Sequence, residues 1–186
     1  KCFCLYPENC FYELPDRNVP EIQRCSLDNA VLQLKSLGVV DVLNFDYLDK
    51  PPVVALRNAL KKLLVLGALR PDGSLSDEGK KMSMLPLDPA LAKVLLASDR
   101  LRCTTDVVAI ISLLSADSLF FTPAQKRKEA NMARAQFLSP LGDHITLLNL
   151  YRAYRSSQAP GSTMSPAEWC QRNFVNRRSL RRALDV

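Results

Sequence analysis

The sequence predicts a mainly α-helical chain in which a small module of helices and one hairpin precedes a bundle of helices. Three observations predict it. Apolar residues recur at steps of three and four through most of the 186 residues. Capping residues and prolines punctuate those runs at helix-length intervals. One strong hairpin-turn signal interrupts them, Pro71-Asp72-Gly73 between Leu69 and Leu75. The length allows one sizeable domain or two small ones, burying about 70% of the unfolded surface. With 47% hydrophobic and 24% charged residues, the composition excludes a wholly disordered or collagen-like chain.

The first dozen residues set Phe3, Leu5 and Tyr6 in alternation with Cys2 and Cys4, a pattern that predicts one short strand. Its partners are expected upstream of Lys1, because a strand with no neighbour is an edge without a sheet. Between Glu21 and Leu37 the apolar positions Ile22, Leu27, Ala30, Val31, Leu34 and Leu37 predict an amphipathic helix or a pair of turns, with Gly38 as its C-terminal cap. A short element over 41–49 is closed by Pro51 and Pro52. Val54–Leu66 is the next helix, apolar through Leu56, Leu60, Leu63 and Leu64, with Arg57, Lys61 and Lys62 on or beside the other stripe. Gly67 ends it, the hairpin follows, and Ser76 or Asp77 caps a helix through Met82. Three short helices and a hairpin over residues 19–85 predict a winged-helix module, with the departure that a helix follows the hairpin.

Residues 86–186 read as helix after helix. Asp88 and Pro89 open one run. Thr104 or Thr105 caps DVVAIISLLSA, apolar on nearly all sides and therefore expected to be central and buried. Pro123 opens a sparse, basic helix, Asp143 caps HITLLNLYRAYR, and SSQAPGSTMSP is a loop. Ser165 with Pro166 starts the last helical segment, where Trp169 and Phe174 are expected to staple the helix by packing rather than to stack a base.

The basic surplus belongs to the C-terminal half. Residues 1–99 hold 12 basic and 13 acidic side chains, whereas residues 100–186 hold 13 and 6. Such a one-sided excess suits a phosphate-backbone partner, and a solvated basic face without a ligand explains it too. The six cysteines read as reduced thiols acting as small hydrophobes, and no metal is expected, since only Cys2 and Cys4 approach ligand spacing and the sole histidine, His144, is remote. The longest apolar stretches, such as Val107–Leu114, fall far short of a span, and the first residues lack a signal-peptide pattern. The expectation is no membrane association and a nuclear or cytoplasmic location, with the nucleus preferred.

Catalysis has no visible team. There is no GxxxxGK[ST] loop, no GxGxxG and no GxSxG, nor a pair of carboxylates in a shared apolar setting. His144, beside Asp143 at a helix start, suits a structural role.

Five segments carry a family resemblance: VPEIQRCSLDNAVLQLKSLG (Val19–Gly38), LPLDPALAKVLLAS (Leu85–Ser98), LLSADSLFFTP (Leu113–Pro123), GDHITLLNLYRAY (Gly142–Tyr154) and WCQRNFVNRRSLRRALDV (Trp169–Val186). Together they resemble the DEAH-box ATP-dependent RNA helicases, in the region after the second motor domain. The resemblance implies the end of that motor domain over 1–18, including its last strand, a winged helix over 19–85 and a ratchet-like helicase-associated domain over 86–186. It implies a parent that binds ATP and magnesium in motor domains, while this stretch binds no cofactor and has no ATPase activity. It also implies three kinds of partner: single-stranded RNA, gripped along one channel wall; the motor domains and OB-fold of the parent chain; and a G-patch protein on the winged helix.

An RNA backbone is held by hydroxyls and cations on a rigid wall. The candidates are Ser112, Ser115 and Ser118; Lys126, Arg127, Lys128 and Arg134; and Arg177, Arg178, Arg181 and Arg182, with only Asp185 as a nearby acid. Helix capping is an equal explanation of the serines, and contact with acidic motor-domain side chains an equal one for the last four arginines. Tyr151 and Tyr154, beside Arg152 and Arg155, are further channel candidates, although core packing explains Tyr151. Leu37, Val39, Val40 and Phe45, with the 42–48 segment, are the expected protein-docking residues. The competing reading is a stand-alone winged-helix DNA-binding regulator with a helical dimerisation domain, which would read duplex through Arg57, Lys61 and Lys62. Charge placement disfavours it, because the surplus lies after residue 100.

Overall fold

The computed structural model describes residues 3–15, 17–160 and 164–184. Cys2, Asp185 and part of the loop expected before Ser165 lie outside them. Among the described residues there are eleven α-helices and no named strand: α1 Glu8–Glu13, α2 Glu21–Arg24, α3 Asp28–Ser36, α4 Val53–Val65, α5 Asp77–Ser83, α6 Pro89–Arg100, α7 Thr104–Leu114, α8 Arg127–Ala135, α9 Asp143–Ser157, α10 Pro166–Arg172 and α11 Arg177–Leu184. None is long and apolar enough to cross a membrane. The chain divides into two compact units, residues 1–93 and 94–186, so that α6 belongs partly to each.

Among the described residues 3–12, the strand expected in the first dozen residues is not formed. Residues 3–7 carry no regular structure and Glu8–Glu13 is a helix that buries no side chain. A lone strand leaves its backbone donors and acceptors unpaired, whereas a helical turn satisfies them locally, as Cys10 N does by donating to Pro7 O at 3.1 Å.

In the first unit α3 packs on α4 and α5 around Val31, Leu32, Leu56, Leu63 and Met82, all fully buried. The 21–37 periodicity resolves into two helices, α2 and α3. Two end caps follow the same rule: Gly38 and Gly67 have φ of +90° and +76°, and each closes a Schellman motif. After α4, Gly67 N donates to Leu64 O at 3.0 Å and Ala68 N to Leu63 O at 2.9 Å. The hairpin exists in minimal form, a single antiparallel bridge between Leu69 and Leu75 with Gly73 at φ +78° in its turn. Ser76 then caps α5, accepting from Gly79 N at 2.9 Å and donating to Gly67 O at 2.6 Å. At Gly79 the helix lies so close to the hairpin that a Cβ would stand 2.1 Å from Ala68 O. The 41–49 segment is irregular, and Val42 within it is core, not surface.

In the second unit α7 packs on α9 and α11, and α10 on the same two helices. Leu113, Phe137, Leu150, Trp169, Cys170, Val175 and Leu180 form the core, with Tyr151 and Tyr154 packed against it. Trp169 meets Phe137 and Tyr154, at ring-centroid distances of 6.0 and 5.3 Å. Trp169 is thus core, but Phe174 is not its partner. Helix α7 is less enclosed than its apolar sequence suggests, since it buries Ala109, Ile111 and Leu113 while Val108 and Leu114 remain exposed. Its length presents more apolar stripe than two neighbouring helices cover. Helix starts differ slightly from expectation: Cys103 and Gly142, not Thr104 or Asp143, occupy the cap positions of α7 and α9. At α10 the expected cap is a full capping box of Ser165 and Glu168. The final segment breaks at 173–176, where residues 119–121 and 174–176 pair through one antiparallel bridge, Phe120 with Val175.

Candidate nucleic-acid interface

The three groups of RNA-contact candidates all lie in the 94–186 unit, where each is held by a different device. Ser112 sits on the face of α7 that lines a cavity of about 340 Å³, together with Thr105, Val108 and Tyr151. Thr105 was legible as part of this face, because residues 105, 108 and 112 recur at steps of three and four. The sequence alone offered Thr105 only as a cap. The Ser115 hydroxyl donates to Ile111 O at 3.0 Å, so its proton is spent on the helix's own last turn. Ser118 is exposed, with φ +43°.

Lys126 ends a short 3-10 turn, Ala124–Lys126, and Arg127 and Lys128 open α8. All three are exposed. Arg134, near the other end of α8, lays its guanidinium over the Phe120 ring, 4.5 Å from the centroid. One face of that cation is therefore occupied, while the residue as a whole stays exposed. The end of α8 is fixed to the core by Gln136, whose Nε2 donates to Asn173 Oδ1 at 2.6 Å. Buried Asn173 donates in turn to Trp169 O at 2.8 Å.

Arg177, Arg178, Arg181 and Arg182 are exposed along α11. Arg177 and Arg181, one turn apart, line a cavity of about 270 Å³ with Tyr154, Pro166 and Leu184. The structure thus couples Arg177 with Arg181, as well as keeping the side shared by Arg178, Arg181 and Arg182. Cations at a helix N-terminus oppose the macrodipole. Helix stability therefore does not explain Arg177 and Arg178, and the cap comes from Asn176, whose Oδ1 accepts from Arg178 N and Ser179 N at 3.1 and 3.3 Å. Among the other channel candidates, Arg152 is engaged with Asp106 at 2.8 Å, and Tyr154 is half-buried, packed against the core while lining the same cavity as Arg177 and Arg181.

In the 1–93 unit the docking candidates separate. Leu37 and Val40 are 80% and 87% exposed and Phe45 is 37% exposed, whereas Val39 is half-buried. Asp41 holds the turn beneath them, accepting from Asn44 Nδ2 at 2.7 Å and from Leu43 N at 3.0 Å. The Asn44 bonds hold its carboxyl below the usual range. Of the duplex-reading candidates, Lys62 is already used: its ammonium donates to the buried carboxylate of Asp28. That hydrogen bond raises the Lys62 pKa above the ordinary lysine value. Burial raises that of the Cys170 thiol, which suits packing rather than reactivity. Among the described residues no group of three or more His, Cys, Asp or Glu side chains is gathered as metal ligands.

Comparison with known proteins adds three findings. A family profile described as the ratchet-like part of the helicase associated domain (HA2) matches residues 88–147, and one described as its winged-helix part matches residues 59–87. The chain is 40% identical, over 195 aligned residues, to the "Pre-mRNA-splicing factor ATP-dependent RNA helicase DEAH10" of Arabidopsis thaliana, an alignment that takes in all of this chain and 27% of the relative. It is 38% identical, again along its full length, to 16% of the "Pre-mRNA-splicing factor ATP-dependent RNA helicase prp22" of Schizosaccharomyces pombe.

Proposed function

Since the chain belongs to the DEAH-box RNA helicases, as their winged-helix and ratchet-like helicase-associated region, we propose that it is a passive accessory part of such an enzyme. On this reading the ratchet-like part forms one wall of a channel for single-stranded RNA. The winged helix docks the motor domains and OB-fold of the same parent chain and receives a G-patch activator on Leu37, Val39, Val40 and Phe45. ATP and magnesium belong to the motor domains, and this region hydrolyses nothing. The relatives' names support a nuclear role in pre-mRNA splicing. The domain limits we propose are 1–18, 19–85 and 86–186.

The observation that carries the reading is a pairing of two facts. A chain matching RNA helicases along its whole length also keeps Lys126, Arg127, Lys128, Arg134, Arg177, Arg178, Arg181 and Arg182 on exposed surface in its C-terminal unit. Ser112 and Ser118 supply hydroxyls for ribose or phosphate from the same unit, and Ser115, whose proton goes to Ile111 O, supplies an acceptor for a ribose hydroxyl.

The test is binding of a labelled single-stranded RNA over a range of salt concentrations. The expected result is weak binding with little base preference, in which each neutralised phosphate contributes about 0.7 to the slope of log affinity against log salt. Tight, sequence-specific binding to duplex DNA at physiological salt would overturn the reading in favour of a winged-helix DNA-binding regulator.

A further inference from the structure

Two aromatic rings stand together on the 94–186 unit in an arrangement that gripping an RNA backbone does not require. Phe121 N donates to Phe174 O at 3.0 Å, and Asn176 N to Leu119 O at 2.8 Å, so two short extended segments are laced side by side. Phe120 packs against the core and carries Arg134. Phe121 is 40% exposed, with its ring centroid 5.7 Å from that of half-buried Phe174.

Phe174 holds a conformation that suits it badly. Its φ is +54°, and it follows α10 at the position where helices favour glycine. The cap itself does not need the ring. Its bonds are Phe174 N to Gln171 O at 3.3 Å and Val175 N to Cys170 O at 2.9 Å. The apolar contact that accompanies such a cap falls to Val175 and Cys170, both deep in the core. A glycine would close this helix with less strain and would forfeit the contact that the Phe174 ring makes with Phe121.

We propose that Phe121, braced at its side by the Phe174 ring whose plane is tilted 52° from its own, is a shelf on which one base of a single-stranded RNA stacks, while phosphates of the same strand meet Lys126, Arg127 and Lys128. The proposal rests on the RNA-wall reading above and adds to it a contact with a base. The cations say what the occupant is: five residues of chain carry Lys126 no more than about 18 Å from Phe121, roughly five nucleotides of a stacked strand. An aromatic surface flanked by cations fits single-stranded nucleic acid of any sequence, because every base has a π-face.

The experiment measures fluorescence anisotropy of the whole chain with a labelled oligouridylate and with an abasic ribose-phosphate oligomer of equal length. Phe121→Leu keeps the apolar volume and removes the π-face. It is expected to weaken oligouridylate binding about tenfold and to leave the abasic oligomer unaffected, with Phe121→Trp restoring wild-type affinity. Phe174→Gly is expected to weaken oligouridylate binding without lowering the melting temperature. Equal oligouridylate affinity of wild type and Phe121→Leu would overturn the shelf and leave the RNA wall standing. A wild type that binds neither oligomer would overturn both.

Discussion

The carboxylate of Asp28, nearly sealed at the first turn of α3, is bonded to the half-exposed ammonium of Lys62 on α4. This pair locks the two main helices of the 1–93 unit and removes from the solvent-facing set a lysine that the sequence offers as a duplex-reading cation.

Removing one member should therefore cost stability. Lys62→Met leaves a buried carboxylate uncompensated, with an expected loss of about 2 kcal/mol, below the usual value for a buried pair because Lys62 lies partly in water. Asp28→Asn should cost less, about 1 kcal/mol. The raised Lys62 pKa fixes the pH dependence: its contribution is complete below the ordinary lysine value of about 10.4 and is lost as pH rises through the higher folded-state value. Urea unfolding at neutral and strongly alkaline pH checks both, and a gap between wild type and Lys62→Met that persists unchanged in alkali would contradict the assignment.

Gly79→Ala should destabilise. In an exposed helix the change favours folding by up to about 1 kcal/mol, but here the added carbon meets the Ala68 carbonyl. The helix must shift off the hairpin, at about 1–3 kcal/mol. The sign of the change in thermal midpoint decides the matter.

The Ser165 and Glu168 capping box organises α10 and, through it, Trp169 and Cys170. Ser165→Ala is expected to cost about 1 kcal/mol in chemical denaturation. The Ser165 N–H holds the Glu168 carboxyl below its ordinary value. Its contribution is therefore present above the unfolded glutamate pKa and fades as pH falls through the lower folded-state value. Glu168→Gln and wild type should converge in stability in strong acid.

Replacing Arg178 and Arg182 by Gln should leave the fold intact, since both are exposed, and reduce the RNA salt slope. If both contact phosphates the slope falls by about 1.4, read from titrations at several salt concentrations. An unchanged slope would move both residues off the RNA and toward acidic side chains of a protein partner.

Much of this chain was legible in its sequence because the determining signals are local. Glycine at +φ caps, Asp88 and Ser165 before prolines, and the Pro71-Asp72-Gly73 turn each act within a few residues. The charge asymmetry between halves was also a matter of counting. Residues 3–12 form no strand despite their alternation, because alternating apolar side chains describe a strand only where a neighbour exists to pair with it. Packing decided the rest. Which face of α7 is covered, that Val42 is core while Val40 is surface, that Asp28 claims Lys62, and that Phe174 turns from Trp169 to Phe121 all depend on residues far apart in sequence. No periodicity within one segment encodes such pairings. They are fixed when helices close on one another and each buried charge or ring must find its partner.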